Sequence, residues 1–427
     1  MPSRRSLLRQ LAMVPGLPLL VPGSPLLQAV ATPTAWPADD DPHYWEKLRH
    51  RFPLREDEVF FNTATLGAPS RDVLDAMSKS FQELAATMAE WDYKPSGPNW
   101  FTGYYAEDWV RGRLASLLHA DVQEIALTDN STMGMSFLAN GLDLAAGDEV
   151  LQTDQEHPGS RCVWELQAKR RGIIWKSLKV PVPATDPLEI VELVRKAITP
   201  RTRVIAWPHI TSGLGVVHPV KEIARLARER GVFMIIDGAQ AVGQIEVDVE
   251  NLGCDAYVGS PHKWLLAPAG NGFLYLKRAS APKIWTTIAS SEWSNDKDPG
   301  LRLQQRGTGN LSLLVGLDAA LRFHQRVGPA RWRARIKELG DYLRASLAEV
   351  DGVVLSSSTH PAMCAGMTTW KLRGKTPAAM QDFFWAKGRL RPRAVHDEWG
   401  VRTSTAIYNS KEEIDRLLAL TREMARS

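Results

Sequence analysis

The sequence predicts an α/β fold: a large domain with a mostly parallel seven-stranded sheet, followed by a smaller α+β C-terminal domain. Seven short apolar runs between residues 124 and 277 alternate with helical stretches, which is typical of a parallel sheet covered by helices. Near Gly300 the pattern changes to long helical stretches, which indicates a second domain. Of the 427 residues 44% are hydrophobic, so a core of ordinary size can form.

The predicted elements follow the chain in a regular order. Helical periodicity is clear at 71–89 and 106–118, and it returns after residue 310 in longer stretches. This order predicts a large domain at 61–305 and a small domain at 306–427, after an N-terminal arm at 32–60. Strands are predicted at 124–128, 149–153, 172–178, 202–208, 232–237, 256–260 and 272–277, and later helices at 311–327, 329–347 and 411–426.

Residues 1–31 predict a twin-arginine signal peptide. Two adjacent arginines precede an apolar stretch at 11–20, and small residues end the segment at Ala31, as signal peptidase requires. The alternative is an amphipathic helix, which Pro15 and Pro18 disfavour. We therefore expect export by the twin-arginine machinery to the periplasm, cleavage after about Ala31, and no stable membrane span.

Composition excludes several function classes. A net charge of +4 without a dense Lys/Arg block argues against nucleic-acid binding, and no glycine-rich dinucleotide or nucleotide loop is present. Cys162, Cys254 and Cys364 are spaced too widely for a metal site, and Cys254 is expected to be a buried, inert thiol. The fifteen tryptophans fit either an aromatic pocket or ordinary core packing.

The segment with the strongest chemical signal is Ser260-Pro261-His262-Lys263, between an apolar run and a Gly-rich turn. A lysine held at a strand end is desolvated, which lowers its pKa and frees the amine to condense with an aldehyde. Ser260 and His262 can direct polar hydrogens at an anion beside it. Taken alone this motif is weak, because most lysines near turns are solvated.

A second segment strengthens the first. The apolar run 232–236 ends in Asp237, so this carboxylate is expected at the crevice where parallel sheets bind ligands. There it can keep a pyridine nitrogen protonated, with Gln240 in reach of the ring oxygen. The alternative is an aspartate that only caps the next helix.

Two further segments follow predicted strands. Ser131 and Thr132 open a helix, and such helix N-termini bind phosphate, although ordinary helix caps have the same sequence. His157 can stack on a flat ring, although a lone histidine is more often structural.

Together these segments resemble the class V aminotransferases. The order T-x-N-S-T, E-H, D-G-A-Q-A-x-G, S-x-H-K, R-G-T-x-N and R-x-S-x-x-x-Y-N-S extends from about Phe61 to the C-terminus. The resemblance implies the pyridoxal-phosphate (PLP)-dependent transferase fold, fold type I, and pyridoxal 5'-phosphate as cofactor. It implies that Lys263 carries the cofactor as a Schiff base, that Asp237 pairs with the ring nitrogen and Gln240 with the ring oxygen, and that His157 stacks on the ring.

The same resemblance implies the remaining roles. Arg402 resembles the arginine that grips a substrate carboxylate, for which a guanidinium fork is suited. Thr308 resembles the loop residue that reaches the phosphate of a neighbouring subunit, which implies a homodimer with active sites at the interface. The phosphate-binding residues implied are Ser131, Thr132, Ser260 and His262.

Within the family the chain more closely resembles the isopenicillin N epimerase-like branch. Desulfurases use a cysteine upstream of the carboxylate arginine, but residues 391–398 contain none, and Cys364 falls in what is predicted to be the first strand of the small domain. Ser212 stands where many relatives carry asparagine. With a twin-arginine signal, the chain resembles periplasmic enzymes that convert the glutamyl side chain of the siderophore pyoverdine to succinamide. An epimerase or aminotransferase with another periplasmic substrate, and a non-catalytic PLP- or ligand-binding protein, remain as alternatives.

Overall fold

A computed structural model describes residues 35–91 and 105–426; the predicted signal peptide lies outside them. Seven strands form the main sheet, in the order β2-β8-β7-β6-β5-β3-β4, and only β8 runs antiparallel to its neighbours. The predicted α/β class and the mostly parallel sheet are confirmed. The strands are β1 Val59–Phe60, β2 Ile125–Thr128, β3 Glu149–Thr153, β4 Ile174–Leu178, β5 Thr202–Pro208, β6 Phe233–Asp237, β7 Ala256–Gly259, β8 Gly272–Leu276, β9 Val353–Leu355, β10 Met367–Leu372, β11 Leu390–Arg391, β12 Arg393–His396 and β13 Gly400–Ser404.

The central strands are almost entirely apolar, apart from Asp237 at the end of β6, because helices pack against the sheet. Every residue of β6, β7 and β8 is buried, which is typical of strands inside a sheet of this kind. The helices are α1 Tyr44–Arg49, α2 Arg71–Ala86, α3 Asp108–Leu118, α4 Ser131–Gly141, α5 Pro158–Arg171, α6 Pro187–Ala197, α7 Val220–Glu229, α8 Val249–Leu252, α9 Pro299–Gln304, α10 Leu311–Val327, α11 Pro329–Ala348, α12 Pro377–Gly388 and α13 Lys411–Arg426.

A second, antiparallel sheet lies in the C-terminal part, in the order β12-β13-β10-β9. Leu339, Trp370, Phe384 and Leu417 belong to the core that joins this sheet to α11, α12 and α13. The short strand β1 pairs in parallel with β11, so the end of the predicted arm joins this C-terminal part. None of the helices in the described residues is long and apolar enough to cross a bilayer.

The cysteines differ in environment. Cys254 is fully buried, as predicted, and burial raises the pKa of its thiol far above the usual range. The prediction that Cys364 lies in the first strand of the small domain is wrong, because β9 comes first and Pro361–Met363 forms a short 3-10 helix. Pro361 starts this turn because proline lacks the N–H that a strand would need. Trp164, Trp207, Trp264, Trp332 and Trp370 are fully buried, so core packing accounts for a third of the tryptophans.

Candidate active site

A cavity of about 450 Å³ lies at the carboxyl ends of the parallel strands. Chains leave a parallel sheet at this edge, so loops that follow neighbouring strands meet there. A deeper extension of the cavity is lined by Asp237, Gln240 and Lys263. Most of the predicted site residues therefore share one cavity, which is lined by Ser131, Thr132, His157, Ser260, His262, Lys263 and Arg402.

Asp237 is the last residue of β6 and is 8% exposed. Its Oδ1 accepts a hydrogen bond of 3.0 Å from the Ala239 N–H, so the carboxylate caps the turn that follows and not a helix. It also lines the cavity floor, and the two roles are compatible. The next residue must be glycine, since a Cβ at Gly238 would lie 1.9 Å from Cε1 of the buried Tyr257 ring.

Lys263 lies in the loop after β7 and is 9% exposed. Burial lowers the pKa of Lys263 to about 8, while the Asp237 carboxylate acts in the opposite direction. The loop is fixed by the N-terminal segment, where the Gly67 N–H donates to the His262 carbonyl at 2.8 Å. A Cβ at Gly67 would lie 2.0 Å from the Lys263 carbonyl oxygen, so only glycine permits this contact. The amine is thus accessible and partly deprotonated near neutral pH, which suits imine formation.

The start of α4 and the loop after β7 form a cradle of hydrogen-bond donors. The Ser260 hydroxyl lies 3.0 Å from the Ser131 hydroxyl and accepts from the Ser131 N–H at 3.1 Å. His262 pairs through Nδ1 with the Asn271 carbonyl at 2.9 Å, and the His262 ring lines the cavity. Asn130 is the residue that caps the helix, through its side chain, which leaves Ser131 and Thr132 available to an anion. A helix N-terminus with these hydroxyls is suited to a phosphate.

His157 is the capping residue of α5 and lines the cavity. Its Nδ1 accepts from the Gly159 N–H at 3.0 Å, so this nitrogen carries no proton. Burial and the nearby Lys263 lower the pKa of His157, which favours a neutral, flat ring. The residue is therefore structural and is also placed to face a bound ligand.

Glu156 is a cavity residue whose role the sequence analysis did not consider. It is 8% exposed, and burial, with a smaller contribution from Asp237, raises its pKa well above the usual value. Its Oε2 has no hydrogen-bond partner among the described residues. We expect a neutral acid at this position.

Gln240 is held by three neighbours. Its Oε1 accepts from the Trp264 indole N–H at 2.8 Å, and its Nε2 donates to the Ala64 carbonyl at 2.8 Å and towards the Ser212 hydroxyl at 3.4 Å. The side chain lines the deep extension of the cavity, but its amide hydrogens are engaged within the protein. Its pairing with a ring oxygen stays a prediction.

Arg402 enters the cavity from β13, in the other sheet, and is 3% exposed. It donates to the Ser212 carbonyl at 2.7 Å, to Asn62 Oδ1 at 2.8 Å and to the Thr65 hydroxyl at 2.9 Å. These partners are neutral, and its buried Nε has none among the described residues. Burial and the nearby Arg393 lower the pKa of Arg402, so an anion in the cavity would stabilise the charged form.

Besides Glu156, two further cavity residues were not predicted from the sequence. Arg393 is exposed at the cavity mouth and donates to the Thr65 hydroxyl at 3.3 Å, so it shares this partner with Arg402. Trp399 forms part of the wall and packs on Gly213, where a Cβ would lie 2.3 Å from the ring atom Cζ3. Neither residue stands in a motif; only the glycine at 213 and the basic run at 389–393 were signals.

Thr308 is the predicted site residue that does not join the others. It is exposed in the loop before α10 and does not line the cavity of its own chain. The preceding Arg306 fixes this loop through an ion pair with Asp129 of 2.8 Å and a bond to the Leu127 carbonyl. Its predicted role concerns a neighbouring subunit, so it stays a prediction.

Comparison with known proteins gives this arrangement a family. The family model for aminotransferase class-V matches residues 59–417. The chain belongs to the class V aminotransferase family. Isopenicillin N epimerase of Streptomyces clavuligerus is 31% identical over 393 residues, which are 87% of this chain and 96% of the relative. A probable cysteine desulfurase of Halalkalibacterium halodurans is 30% identical over 334 residues, 72% of this chain and 79% of the relative.

Solved structures agree with this family assignment. A mutant of the lyase C-DES with glycine covalently linked to its PLP cofactor is similar with a TM-score of 0.78 and 26% identity. The match covers 88% of this chain and 99% of that one. This class V chain therefore has the PLP-dependent transferase fold, fold type I, and is an enzyme that uses PLP.

The residues of the cavity fit this cofactor. The amine of Lys263, the carboxyl group of Asp237 and the donors at the start of α4 match its aldehyde, its pyridine nitrogen and its phosphate in chemical type. When bound, PLP supplies an electron sink for a bond broken at the substrate α-carbon. With the cofactor in place, Lys263 would be positioned to move a proton at that carbon, Asp237 would hold the ring nitrogen, and Arg402 would bind the substrate carboxylate.

Proposed function

We propose that this enzyme is periplasmic and acts on the α-amine of the glutamyl side chain of a peptide siderophore of the pyoverdine type, giving a succinamide. The observation that carries the proposal is the placement of buried Arg402 opposite Lys263 in one cavity, which suits an amino acid with a free amine and a free carboxylate. The predicted twin-arginine signal at residues 1–31 supports the compartment.

The proposed reaction balances with dioxygen as oxidant. The glutamyl unit loses its α-carboxylate as carbon dioxide, its α-carbon is oxidised to a carboxamide that keeps the nitrogen, and one dioxygen is reduced. One oxygen atom enters the carboxamide and the other leaves as water. The protein has to position the carboxylate and handle the α-carbon proton, and Arg402 and Lys263 are placed for these tasks.

Desulfurase chemistry is not supported by the cavity. None of Cys162, Cys254 and Cys364 lines it within the described residues. Burial raises the pKa of the Cys364 thiol, which opposes formation of a nucleophilic thiolate.

Epimerisation of a periplasmic amino acid or peptide is the second candidate. The 31% identity with isopenicillin N epimerase over nearly its whole length favours it. A non-catalytic binding role is disfavoured, because a binder needs neither the amine of Lys263 nor the acid of Asp237.

Product analysis separates these functions. The purified enzyme with PLP is incubated in air with L-glutamic acid γ-amides, and products are analysed by mass spectrometry in deuterated and ordinary water. Loss of one carbon with formation of a succinamide supports the proposal. Deuterium at the α-carbon of a product otherwise unchanged in mass identifies epimerisation, and a 2-oxo acid identifies transamination. A spectrum that neither PLP nor substrate changes would exclude all three.

The proposed compartment has its own test. Replacement of Arg4 and Arg5 by lysine should retain the enzyme in the cytoplasm, because the twin-arginine machinery reads this pair. Fractionation of cells that make the variant and the wild type measures the distribution. Unchanged periplasmic recovery of the variant would contradict the proposed route.

We also propose a homodimer in which Thr308 serves the partner's cavity. A residue that serves the cavity of the partner subunit has to lie outside the cavity of its own chain. The exposed loop around Thr308 meets this condition. Light scattering of wild-type protein should show a dimer, and Thr308→Ala should weaken PLP retention without changing the oligomer. A monomer that retains PLP fully would contradict this assignment.

A further inference from the structure

A second groove adjoins the catalytic cavity and has a volume of about 610 Å³. It is called here the outer groove, and it is lined by Pro181, Val182, Pro183, Leu355, His396 and Trp399. Trp399 also lines the catalytic cavity, so one half-buried ring forms a wall of both. The outer groove therefore adjoins the catalytic cavity along the Trp399 ring.

Trp399 is fixed by the turn between β12 and β13. Its carbonyl accepts from the Ser356 hydroxyl at 2.7 Å, and its N–H donates to the His396 carbonyl at 3.0 Å. Gly400 follows with φ +107°, and a Cβ there would lie 2.0 Å from the Trp370 carbonyl oxygen. The turn thus lies in close contact with β10, and the ring packs on Gly213 at the cavity mouth.

Trp399 is accompanied by a second ring. The His396 ring centroid lies 4.9 Å from that of Trp399, with 36° between the planes. His396 is exposed and Val182 is 42% exposed, so an apolar and aromatic surface is open to solvent beside the reaction site. Such rings bind flat groups by stacking and by burial of apolar area.

The charges around the outer groove are mixed. The groove is lined by two basic residues, Lys179 and Lys371, and by two acidic residues, Asp154 and Glu398. The Lys371 ammonium already donates to the Glu398 carbonyl at 3.2 Å. The groove therefore does not favour a ligand of strong net charge, whereas the catalytic cavity contains two arginines. The volume of the groove is in the range that holds a small-molecule ligand.

We infer that the outer groove is a subsite for a flat aromatic group joined by an amide to the side chain of the reacting amino acid, with Trp399 as the stacking platform. The inference rests on the proposed function, since it assigns the part of that substrate that does not react. The catalytic cavity must hold both the cofactor and the amino acid, so a larger substituent has to leave it past Trp399. Remote contacts of this kind hold the reacting atoms in place.

Binding of two matched compounds tests the subsite. Calorimetry under nitrogen, with the PLP-loaded enzyme, compares L-glutamic acid γ-(2-naphthylamide) with L-glutamic acid γ-methylamide. We expect the naphthylamide to bind about tenfold more tightly to the wild type. In Trp399→Ala this ratio should fall to about one, and in Trp399→Phe most of it should remain.

Trp45→Ala is the matched control, because Trp45 is a half-buried tryptophan that lines neither the outer groove nor the catalytic cavity. Its ratio should equal that of the wild type. No preference in the wild type, or a preference that survives in Trp399→Ala, would overturn the subsite.

The two proposals fail differently in this experiment. Succinamide formed from both amides in air, without a binding preference, would remove the subsite and leave the proposed function. A preference that depends on Trp399, without a decarboxylated product, would leave the subsite and remove the proposed function.

Discussion

The catalytic cavity has two sides that differ in construction. The side from the seven-stranded sheet carries Asp237 and Lys263 at strand ends, where both are buried and their backbone is fixed. The side from the four-stranded sheet carries Arg402, Arg393 and Trp399 around the β12–β13 hairpin; Arg393 is exposed and Trp399 is half-buried, while Arg402 is buried. The difference indicates that the first side performs the reaction and the second selects the substrate. Substitutions on the two sides should therefore act on kcat and on KM, respectively.

The largest effect is expected for Lys263→Ala. Turnover should fall by at least about a thousandfold, because Lys263 is the one lysine among the described residues that line the cavity, so no other amine there can form the covalent link or move the proton. Borohydride reduction followed by mass spectrometry of the peptide measures the link. Lys263→Arg is the control, since it keeps a positive charge but should be equally inactive; activity in either variant contradicts the assigned role.

Asp237→Asn should lower kcat by about a hundredfold and leave KM within a few-fold. An amide is a poor partner for a protonated ring nitrogen, so the electron sink is weakened while substrate binding is not. Asp237→Glu keeps the charge and should recover part of the rate. A large rise in KM with unchanged kcat would show that Asp237 acts in substrate binding, which would contradict the division of the cavity into a reaction side and a recognition side.

Arg402→Ala should raise KM by about tenfold to a hundredfold, since a charge-assisted hydrogen bond contributes about 1.5–3 kcal/mol. Arg402 also binds Asn62, Thr65 and Ser212, so thermal unfolding must be measured beside the kinetics. Arg402→Lys restores the charge without the fork and should be intermediate. Unchanged saturation behaviour would show that the carboxylate is held elsewhere.

The pH dependence of cofactor loading tests only the side of the cavity that carries Asp237 and Lys263. The unprotonated amine of Lys263 reacts, and its pKa is lowered to about 8, so the rate should rise with pH through that value. Between pH 7 and pH 9 the rise should be about tenfold. Asp237 raises the pKa of Lys263, so Asp237→Asn should move the midpoint to lower pH. Stopped-flow absorbance of PLP added to apoprotein gives the midpoint; no change between pH 7 and pH 9 contradicts it.

The smallest effect is expected for Arg393→Ala. This guanidinium is exposed, so its contribution to KM should be only a few-fold and should shrink in high salt. Arg391→Ala is a suitable control, because Arg391 lies two residues away and does not line the cavity. Equal effects of the two substitutions on KM would show that Arg393 acts only through general charge.

The reaction side was predictable because its signals are local. Apolar runs end at Asp237 and shortly before Lys263, and the geometry of parallel sheets then places both residues at one edge. The strands of the large sheet agree with their predicted positions within two residues at each end for the same reason.

The recognition side was less predictable because it depends on distant contacts. Trp399 reaches the cavity only because Gly213, in another part of the chain, leaves room for its ring. The buried state of Glu156 depends on packing around α5, and no sequence motif reports it. The apolar run around Cys364 predicts a strand, but Pro361 starts a turn there, so the predicted position of Cys364 in a strand is wrong.

β1 pairs with β11, so the N-terminal segment lies beside the C-terminal strands, and this has a consequence for biosynthesis. Asn62 and Arg402, which bond across the cavity, are 340 residues apart in the chain. On the ribosome the large sheet can form while the last strands are still inside the exit tunnel. The contact of Asn62 with Arg402, which is proposed to bind the substrate carboxylate, cannot form at that stage. Competence to bind substrate is thus acquired only after the segment that carries Arg402 has been synthesised and has left the exit tunnel. A nascent or truncated chain that holds the cofactor still lacks a working enzyme.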